Sequence, residues 1–501
     1  MLEHMKNEFN KTTTTNGDLQ FQSTLDSVLD LFAKGGAMRR SSDSEITSLV
    51  SKAFADDKEL ALKTLFYLRD VRGGQGEKRV FQLGLLHLST VDADSVVKVV
   101  EHLAEYGSWK DSVIMLDAKS AKVRKAVLKT LTTQLLADVE AHTNGDSVSL
   151  LAKWLPSENA SSRASKAKAK MIRKELGLDA RTYRKILSKL RAKITLVETS
   201  MSKKQFTDID YSKVPSQAMM KYRGAFARQN PEGFGEFMED LKSGKTEVKA
   251  STLAPHQIVE KVNQGRYGFS DLDHTLLDEM WKALPNSIEG SSNALVMADV
   301  SGSMFGGSPA PIDVSVALAI YIAERNTGAF HNHFMTFSSH PALVTVKGDT
   351  IVEKVRNANK ENWDMSTDLE KAFDTILKVA VDNDVSQDEL PSQLIIVSDM
   401  QFNQCVRSRA DGRWGHGDAI GTSVFKNAQA RFLEHGYALP DVIFWNVNAS
   451  TLPVTKDETG VALVSGFNPV VMKNIMQAQD LNPVKMMLDV VGSERYALIK
   501  L

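Results

Sequence analysis

Met297-Ala-Asp-Val-Ser-Gly-Ser-Met304 closes an apolar run that begins at Ala294. A short run of this kind, apolar at every position, predicts a strand buried on both faces. It delivers Asp299, Ser301 and Ser303 onto the loop at its end. One carboxylate and two hydroxyls at alternate positions, with Gly302 permitting a tight turn, suit Mg²⁺ or another hard divalent cation that takes oxygen ligands and keeps some of its waters. Further along, Ser366-Thr-Asp368 and Val397-Ser-Asp399 set Thr367 and Asp399 at the ends of later elements. That is where an open α/β sheet carries its binding loops. Aspartate and serine are ordinary turn residues, so the weight lies in the ordered set of five.

Outward from that strand, elements alternate. Val314–Asn326 reads as a helix, Phe330–Phe337 and Ala342–Val346 as strands, and Thr367–Val381 as a helix. Leu394–Val397 reads as a buried strand, Thr422–His435 as a helix, and Val442–Val447 as another buried strand. Such alternation predicts a doubly wound, mostly parallel, Rossmann-like sheet. The Gly412-Arg-Trp-Gly-His-Gly417 segment reads as a surface loop after one of its strands. Pro285-Asn-Ser-Ile-Glu-Gly-Ser-Ser292 is the clearest domain boundary, which assigns 291–501 to this α/β domain.

Residues 20–290 carry a helical pattern instead. Leu25-Val28-Leu29-Leu31-Phe32, Leu60-Leu62-Leu65-Phe66-Leu68 and Val97-Val100-Leu103 recur at three- and four-residue steps. Short glycine breaks at 34–37, 72–76, 106–107 and 144–146 separate them. Helices joined by short turns predict stacked helix pairs of the α-solenoid, HEAT-like kind. Residues 200–255 are less regular and read as extended and linking. Residues 1–19 read as a disordered tail, with Met1-Leu-Glu-His-Met5 resembling a cloning remnant ahead of a native start.

At 501 residues the chain is too long for one core. Cys405 stands alone, so no intrachain disulfide forms and a reducing, cytoplasmic compartment is expected. No apolar run approaches the roughly 18 residues of a membrane span, which excludes a membrane partner of that kind. Net charge is −1, yet the two halves differ. Residues 291–501 hold 17 Lys and Arg against 24 Asp and Glu, a balance of −7; taken from chain totals of 61 and 62, this leaves 44 and 38 for residues 1–290, a balance of +6.

The excess concentrates in Arg163, Lys166, Lys168, Lys170, Arg173, Lys174, Arg181, Arg184 and Lys185, with Lys189, Arg191, Lys193 and Lys203 beyond. This is the electrostatic footprint of a polyanion partner, set against the plainer reading of a solvated helix face. Arg69, Arg72, Gly73, Gly74, Lys78 and Arg79 form a second candidate, a glycine turn whose amides can approach a phosphate. The competing reading is a helix-to-helix turn in which Arg69 or Arg79 pairs with Asp70 or Glu77. The Gly-x-x-x-x-Gly-Lys-Ser/Thr spacing of a nucleotide-binding loop is absent. Trp109 and Trp154 read first as inter-helix anchors and second as base-stacking platforms. The eleven histidines show no zinc-ligand spacing. No general base or nucleophile stands beside the Asp299 set, so an enzyme is not expected.

The order Asp299-x-Ser301-x-Ser303, Thr367, Asp399 resembles the metal-ion-dependent adhesion site of von Willebrand factor A domains. Upstream, Phe66-Tyr-Leu-Arg-Asp-Val-Arg-Gly-Gly-Gln-Gly-Glu-Lys-Arg79, Tyr106-Gly-Ser-Trp-Lys-Asp111, Tyr183-Arg-Lys-Ile-Leu-Ser-Lys-Leu-Arg191 and Tyr211-Ser-Lys-Val-Pro-Ser-Gln-Ala-Met219 are specific strings. Followed by an A domain, they resemble the Ro autoantigen (TROVE-module) family, in its divergent microbial, viral and plant branch. The resemblance implies a ring of helical repeats closed by the A domain, binding small non-coding RNA on its basic surface and single-stranded ends of misfolded RNA. It also implies that Ser301 and Ser303 contact Mg²⁺ directly, that Asp299 and Asp399 act largely through water, and that Thr367 shifts between the two. A free coordination position would then take a carboxylate from a protein partner.

The expected function is therefore non-enzymatic RNA binding, in the cytoplasm or, for a viral chain, the host cytoplasm. Two alternatives stay open: a metal-dependent protein-interaction scaffold, and a viral structural component without an RNA role.

Overall fold

The Ala294–Ala298 run is a strand buried at every position, as its unbroken apolar character predicts. The structure is a computed structural model and describes residues 1–194, 196–265, 271–288, 293–307, 309–337, 340–360, 367–403, 423–478 and 481–501. Its strands in chain order are β1 (Lys11–Thr13), β2 (Leu19–Phe21), β3 (Ala294–Ala298), β4 (His333–Thr336), β5 (Ala342–Thr345), β6 (Gln393–Ser398), β7 (Asp441–Asn446) and β8 (Val461–Ser465). The last six form one sheet in the order β5-β4-β3-β6-β7-β8, parallel throughout except for β5, which runs antiparallel to β4. β8 was not anticipated, although Gly460-Val-Ala-Leu-Val-Ser-Gly466 is an apolar run bounded by glycines.

Helices cover both faces, because every central strand is apolar on both sides. Leu295, Met297, Leu394, Ile396, Val442 and Phe444 pack with Leu369, Phe373, Phe425 and Phe432 from the helices Leu369–Asp382 and Val424–Glu434. Each such side chain contributes about 1.5–3 kcal/mol by leaving water. Pro311–Arg325 lies against β3, β4 and β6, with Ser315 Oγ donating to the Val397 carbonyl at 3.4 Å. Proline at its first turn suits a helix start. Nearly all of that helix is buried. A helix apolar on all sides needs cover on its outer face too, and Pro255–Gln264 supplies it.

That cover explains how the chain divides. Two compact units form, and neither is contiguous: Met1–Ser41 with Leu253–Ser493, and Ser42–Thr252 with Glu494–Leu501. The expected boundary at 285–292 falls inside the first unit, with residues 289–292 outside the described residues. Residues 1–19 are not a tail: Leu2–Asn10 is a helix and β1 pairs antiparallel with β2, Thr12 opposite Gln20. The polar Thr12–Asn16 string pairs in part with the nearby β2 and in part with Gln401 and Phe402, almost four hundred residues away.

The second unit is helical, as the spacing predicts. Ser42 and Glu45 form a reciprocal cap on Asp43–Asp56, Asp57 caps Lys58–Arg69, and Ser120 caps the long helix Ala121–Asn144, which ends at Gly145 with φ +84°. Residues 200–255 are more regular than expected. They contain the helices Ser216–Gln229 and Pro231–Lys242, joined through a ring cluster of Tyr211, Phe226, Phe234 and Phe237. Pro231–Lys242 does carry a helical period, with Phe234, Phe237, Met238 and Leu241 buried at three- and four-residue steps, which the reading of this stretch as extended overlooked. No helix among the described residues is long and apolar enough to cross a membrane.

Candidate functional site

Parallel pairing of β3 with β6 sets Ala298 beside Val397, so the chain leaves both strands side by side and Asp299 emerges next to Asp399. The Asp299 N–H donates to the Val397 carbonyl at 3.0 Å, which continues the ladder one residue beyond the strand. Asp299 is fully buried. Its Oδ1 accepts the Ser301 N–H at 2.9 Å and its Oδ2 accepts the Ser398 hydroxyl at 2.5 Å. Ser301 and Ser303 present their hydroxyl oxygens 3.2 Å apart, Ser301 buried and Ser303 exposed. Asp399 Oδ1 accepts the Gln401 N–H at 3.2 Å, and the Ser303 hydroxyl bonds the same carboxylate. Thr367 is buried just ahead of the helix cap Asp368, and its carbonyl accepts the Asn403 N–H at 2.9 Å. Ser366, beside it, lies outside the described residues, as do Cys405 and the Gly412–Gly417 loop.

Burial pushes the Asp299 carboxyl up, and the nearby Asp399 carboxylate adds to the effect against the hydroxyls of Ser398 and Ser301. Burial raises Asp399 as well, with Ser303 and the Gln401 amide opposing. Among the described residues no lysine or arginine bonds either carboxylate, and no three His, Cys, Asp or Glu side chains converge on one point. Two buried acids with hydroxyls around them and no protein cation form a site that a divalent ion would neutralise. Ser398 belongs to this set and was overlooked. It ends the apolar run Gln393–Ser398 and sits opposite the start of the Asp299 loop, a signal visible in the quoted Val397-Ser-Asp399.

The basic residues divide into two groups. Arg163, Lys166, Lys170 and Lys174 recur at steps of three and four along the helix Arg163–Glu175 and are exposed, while Ala169 and Ile172 point inward. On Ala180–Lys193, Arg181, Arg184 and Lys185 are exposed opposite the buried Tyr183, Leu187 and Leu190. Both helices pack against Ala121–Asn144. Lys168 and Arg173 are committed elsewhere: Lys168 pairs with Asp117 at 2.5 Å and Arg173 with Glu158 at 2.6 Å. Arg191, too, points inward to the carbonyls of Ala152 and Leu155. Trp154 is half-buried with Lys110 and Lys153 at 5.7 and 5.6 Å from its ring, and Trp109 is half-buried.

The arginines of the glycine turn bond groups within the helical unit. Arg69 is buried against Asp111 at 2.7 Å, Arg72 donates to the Glu105 carbonyl at 2.7 Å, and Arg79 pairs with Asp43 at 2.5 Å. Gly74 lies so close to the Tyr67 carbonyl that a Cβ would come within 1.9 Å of it, and Gly73 packs beside Asp70 and Arg495. Lys78 precedes the helix Arg79–Val91. The guanidinium groups are thus engaged by the protein's own oxygens.

A family model described as "Domain of unknown function (DUF7788)" matches residues 293–495, and one described as "Domain of unknown function (DUF2828)" matches 14–122 and 158–293. "Uncharacterized protein L728" of Acanthamoeba polyphaga mimivirus is 32% identical over 98% of this chain and 88% of its own. The chain belongs to that family. Among solved structures, the Ro (RSR) protein of Deinococcus radiodurans aligns over 93% of both chains at a TM-score of 0.36 and 15% identity.

Proposed function

We propose that this chain is a non-enzymatic RNA-binding protein of Ro-like architecture, with HEAT-like helical repeats carrying the RNA surface and a von Willebrand factor A-type domain carrying a Mg²⁺ site. The observation that carries the reading is the cationic face on Arg163–Glu175 and Ala180–Lys193. Arg163, Lys166, Lys170, Lys174, Arg181 and Lys185 are exposed, and among the described residues no ion pair to an acid is found for them. Closely spaced cations repel one another and are retained where a polyanion neutralises them. Phosphate contacts of this kind give affinity with a steep salt dependence and little base discrimination. Bases splayed from a single strand would add the specificity.

Asp299, Ser301, Ser303, Thr367 and Asp399 would hold the metal. The exposed Ser303 leaves the site open toward solvent, which favours a second reading: a scaffold that takes a partner's carboxylate through the ion. The test is binding of a labelled structured RNA with a single-stranded 3′ tail, against duplex DNA, across a salt series. The variant changes Lys166, Lys170, Lys174, Arg181 and Lys185 to glutamate. RNA binding should weaken by a factor of 10³ or so between 50 and 200 mM salt, given about six phosphate contacts, and vanish in the variant. Binding indifferent to salt or to these substitutions would sink the RNA reading and leave the scaffold.

A further inference from the structure

Met400 follows Asp399 directly and holds φ at +60° while fully buried. A non-glycine residue in the left-handed region is strained and persists only where its surroundings impose it. Both of its backbone polar groups are held. The Met400 N–H donates to Ser398 Oγ at 2.8 Å, and its carbonyl accepts from Gln20 Nε2 at 2.6 Å. Gln20 lies on β2, in the N-terminal hairpin, and is buried completely. Its other amide atom, Oε1, accepts the Thr451 hydroxyl at 2.6 Å, so its orientation is fixed at both ends.

The same hairpin holds the next two residues. Gln401 is bonded from Thr15 N–H at 3.0 Å and from Asn16 Nδ2 at 2.7 Å, and the Phe402 carbonyl accepts the Thr14 hydroxyl at 2.7 Å. One residue later the Asn403 N–H reaches the Thr367 carbonyl. The segment that ties Asp399 to Thr367 is therefore gripped along its length by the side chains of Thr14, Asn16 and Gln20 and the Thr15 N–H.

We propose that Gln20 and Thr14 are positioning residues for the metal site, fixing the strained Met400 turn and with it the place of the Asp399 carboxylate. This rests on the metal-binding reading of the Asp299 set. Outer partners that orient ligands typically change metal affinity by about 10–100-fold when lost. Gln20→Leu keeps the bulk and removes the bonds to Met400 and Thr451 together with the one to Asp18. Thr14→Val removes the hydroxyl, and Thr14→Ser restores it.

The experiment is Mn²⁺ titration of the full chain, followed by the EPR signal of the free and bound ion, with Asp399→Asn to identify the site. Wild type and Thr14→Ser are expected to bind alike. Gln20→Leu should lose about tenfold in affinity, with an altered bound spectrum, and Thr14→Val should move the same way. If Gln20→Leu does not fold, the contrast between Thr14→Val and Thr14→Ser carries the test. Mn²⁺ bound by Gln20→Leu and Thr14→Val as tightly as by wild type overturns the inference and leaves the metal site standing. A wild type that binds no Mn²⁺, or binds it unchanged in Asp399→Asn, removes the metal reading and the inference with it.

Discussion

At Asp18 a carboxylate is buried against the Val424 N–H, 3.2 Å away at the start of the Val424–Glu434 helix. Burial pushes this carboxyl up to about 7, with Glu370 adding to the rise, although the Val424 amide and Gln20 oppose it. In the unfolded chain the same group ionises near ~3.9. Between those values the folded state binds the extra proton, so this group's contribution to stability falls as pH rises and levels off above the upper value. Asp18→Asn keeps an acceptor for the amide without the charge. It should melt at a higher temperature than wild type at pH 8.5 and differ little at pH 4. Equal differences between the two proteins at both pH values would refute this account. None of it is visible in Asn16-Gly-Asp18, which lies in the stretch read as a disordered tail.

Among elements, the Tyr67–Arg79 turn shows how little a motif says without its neighbours. Glycines beside arginines suit a phosphate or a tight crossing equally well in sequence, and only the fold shows Asp111, the Glu105 carbonyl and Asp43 bonded to the guanidinium groups. Its glycines are required for different reasons. Gly74 has no room for a Cβ, whereas Gly76 has open space but a φ of +63°. Gly76→Ala should cost about 1–2 kcal/mol, the left-handed penalty alone. Gly74→Ala must shift backbone against backbone and should cost more, read as a lower urea midpoint for the helical unit. The opposite ranking would mean that the turn relaxes where the structure holds it rigid. The helices themselves were legible through their caps and their three- and four-residue periods. The helices Ser216–Gln229 and Pro231–Lys242 were overlooked, although Phe234, Phe237, Met238 and Leu241 keep the helical period; their packing on Tyr211 is a contact that no local pattern records.

On the scale of the whole molecule, the chain's last eight residues return to the helical unit that begins at Ser42. Arg495 donates to the buried Asp70 carboxylate at 2.8 and 3.0 Å, and the Tyr496 hydroxyl donates to Asp70 at 3.2 Å. Tyr106 stacks on Tyr496 at 5.6 Å and gives its hydroxyl to the Arg495 carbonyl at 2.7 Å. Asp70 was read as pairing with Arg69 or Arg79; its ion-pair partner is Arg495, 425 residues away, while its own turn supplies the Arg72 N–H at 3.0 Å. Ending the chain at Ser493 leaves that carboxylate buried without a cation, a loss of about 3–5 kcal/mol where a buried pair is broken. Urea unfolding of the truncated chain should show the helical unit melting early. An unshifted transition would show that the tail only rests on the surface.

Local pattern alone determined the strand that ends at Asp299, the alternation of strands and helices after it, the helical character of most of the rest, and the five oxygen-bearing residues of the candidate metal site. Each of these is written in neighbouring residues, through a period of two or 3.6 or a short spacing of ligands. Tertiary structure alone decided that Gln20 and Thr14 grip the Asp399 loop, that Lys168 and Arg173 are taken up by Asp117 and Glu158, and that the chain's two ends join units distant from them in sequence. Hydrogen bonds and ion pairs depend on distance in space, and a polar residue carries no local mark of the partner that will satisfy it.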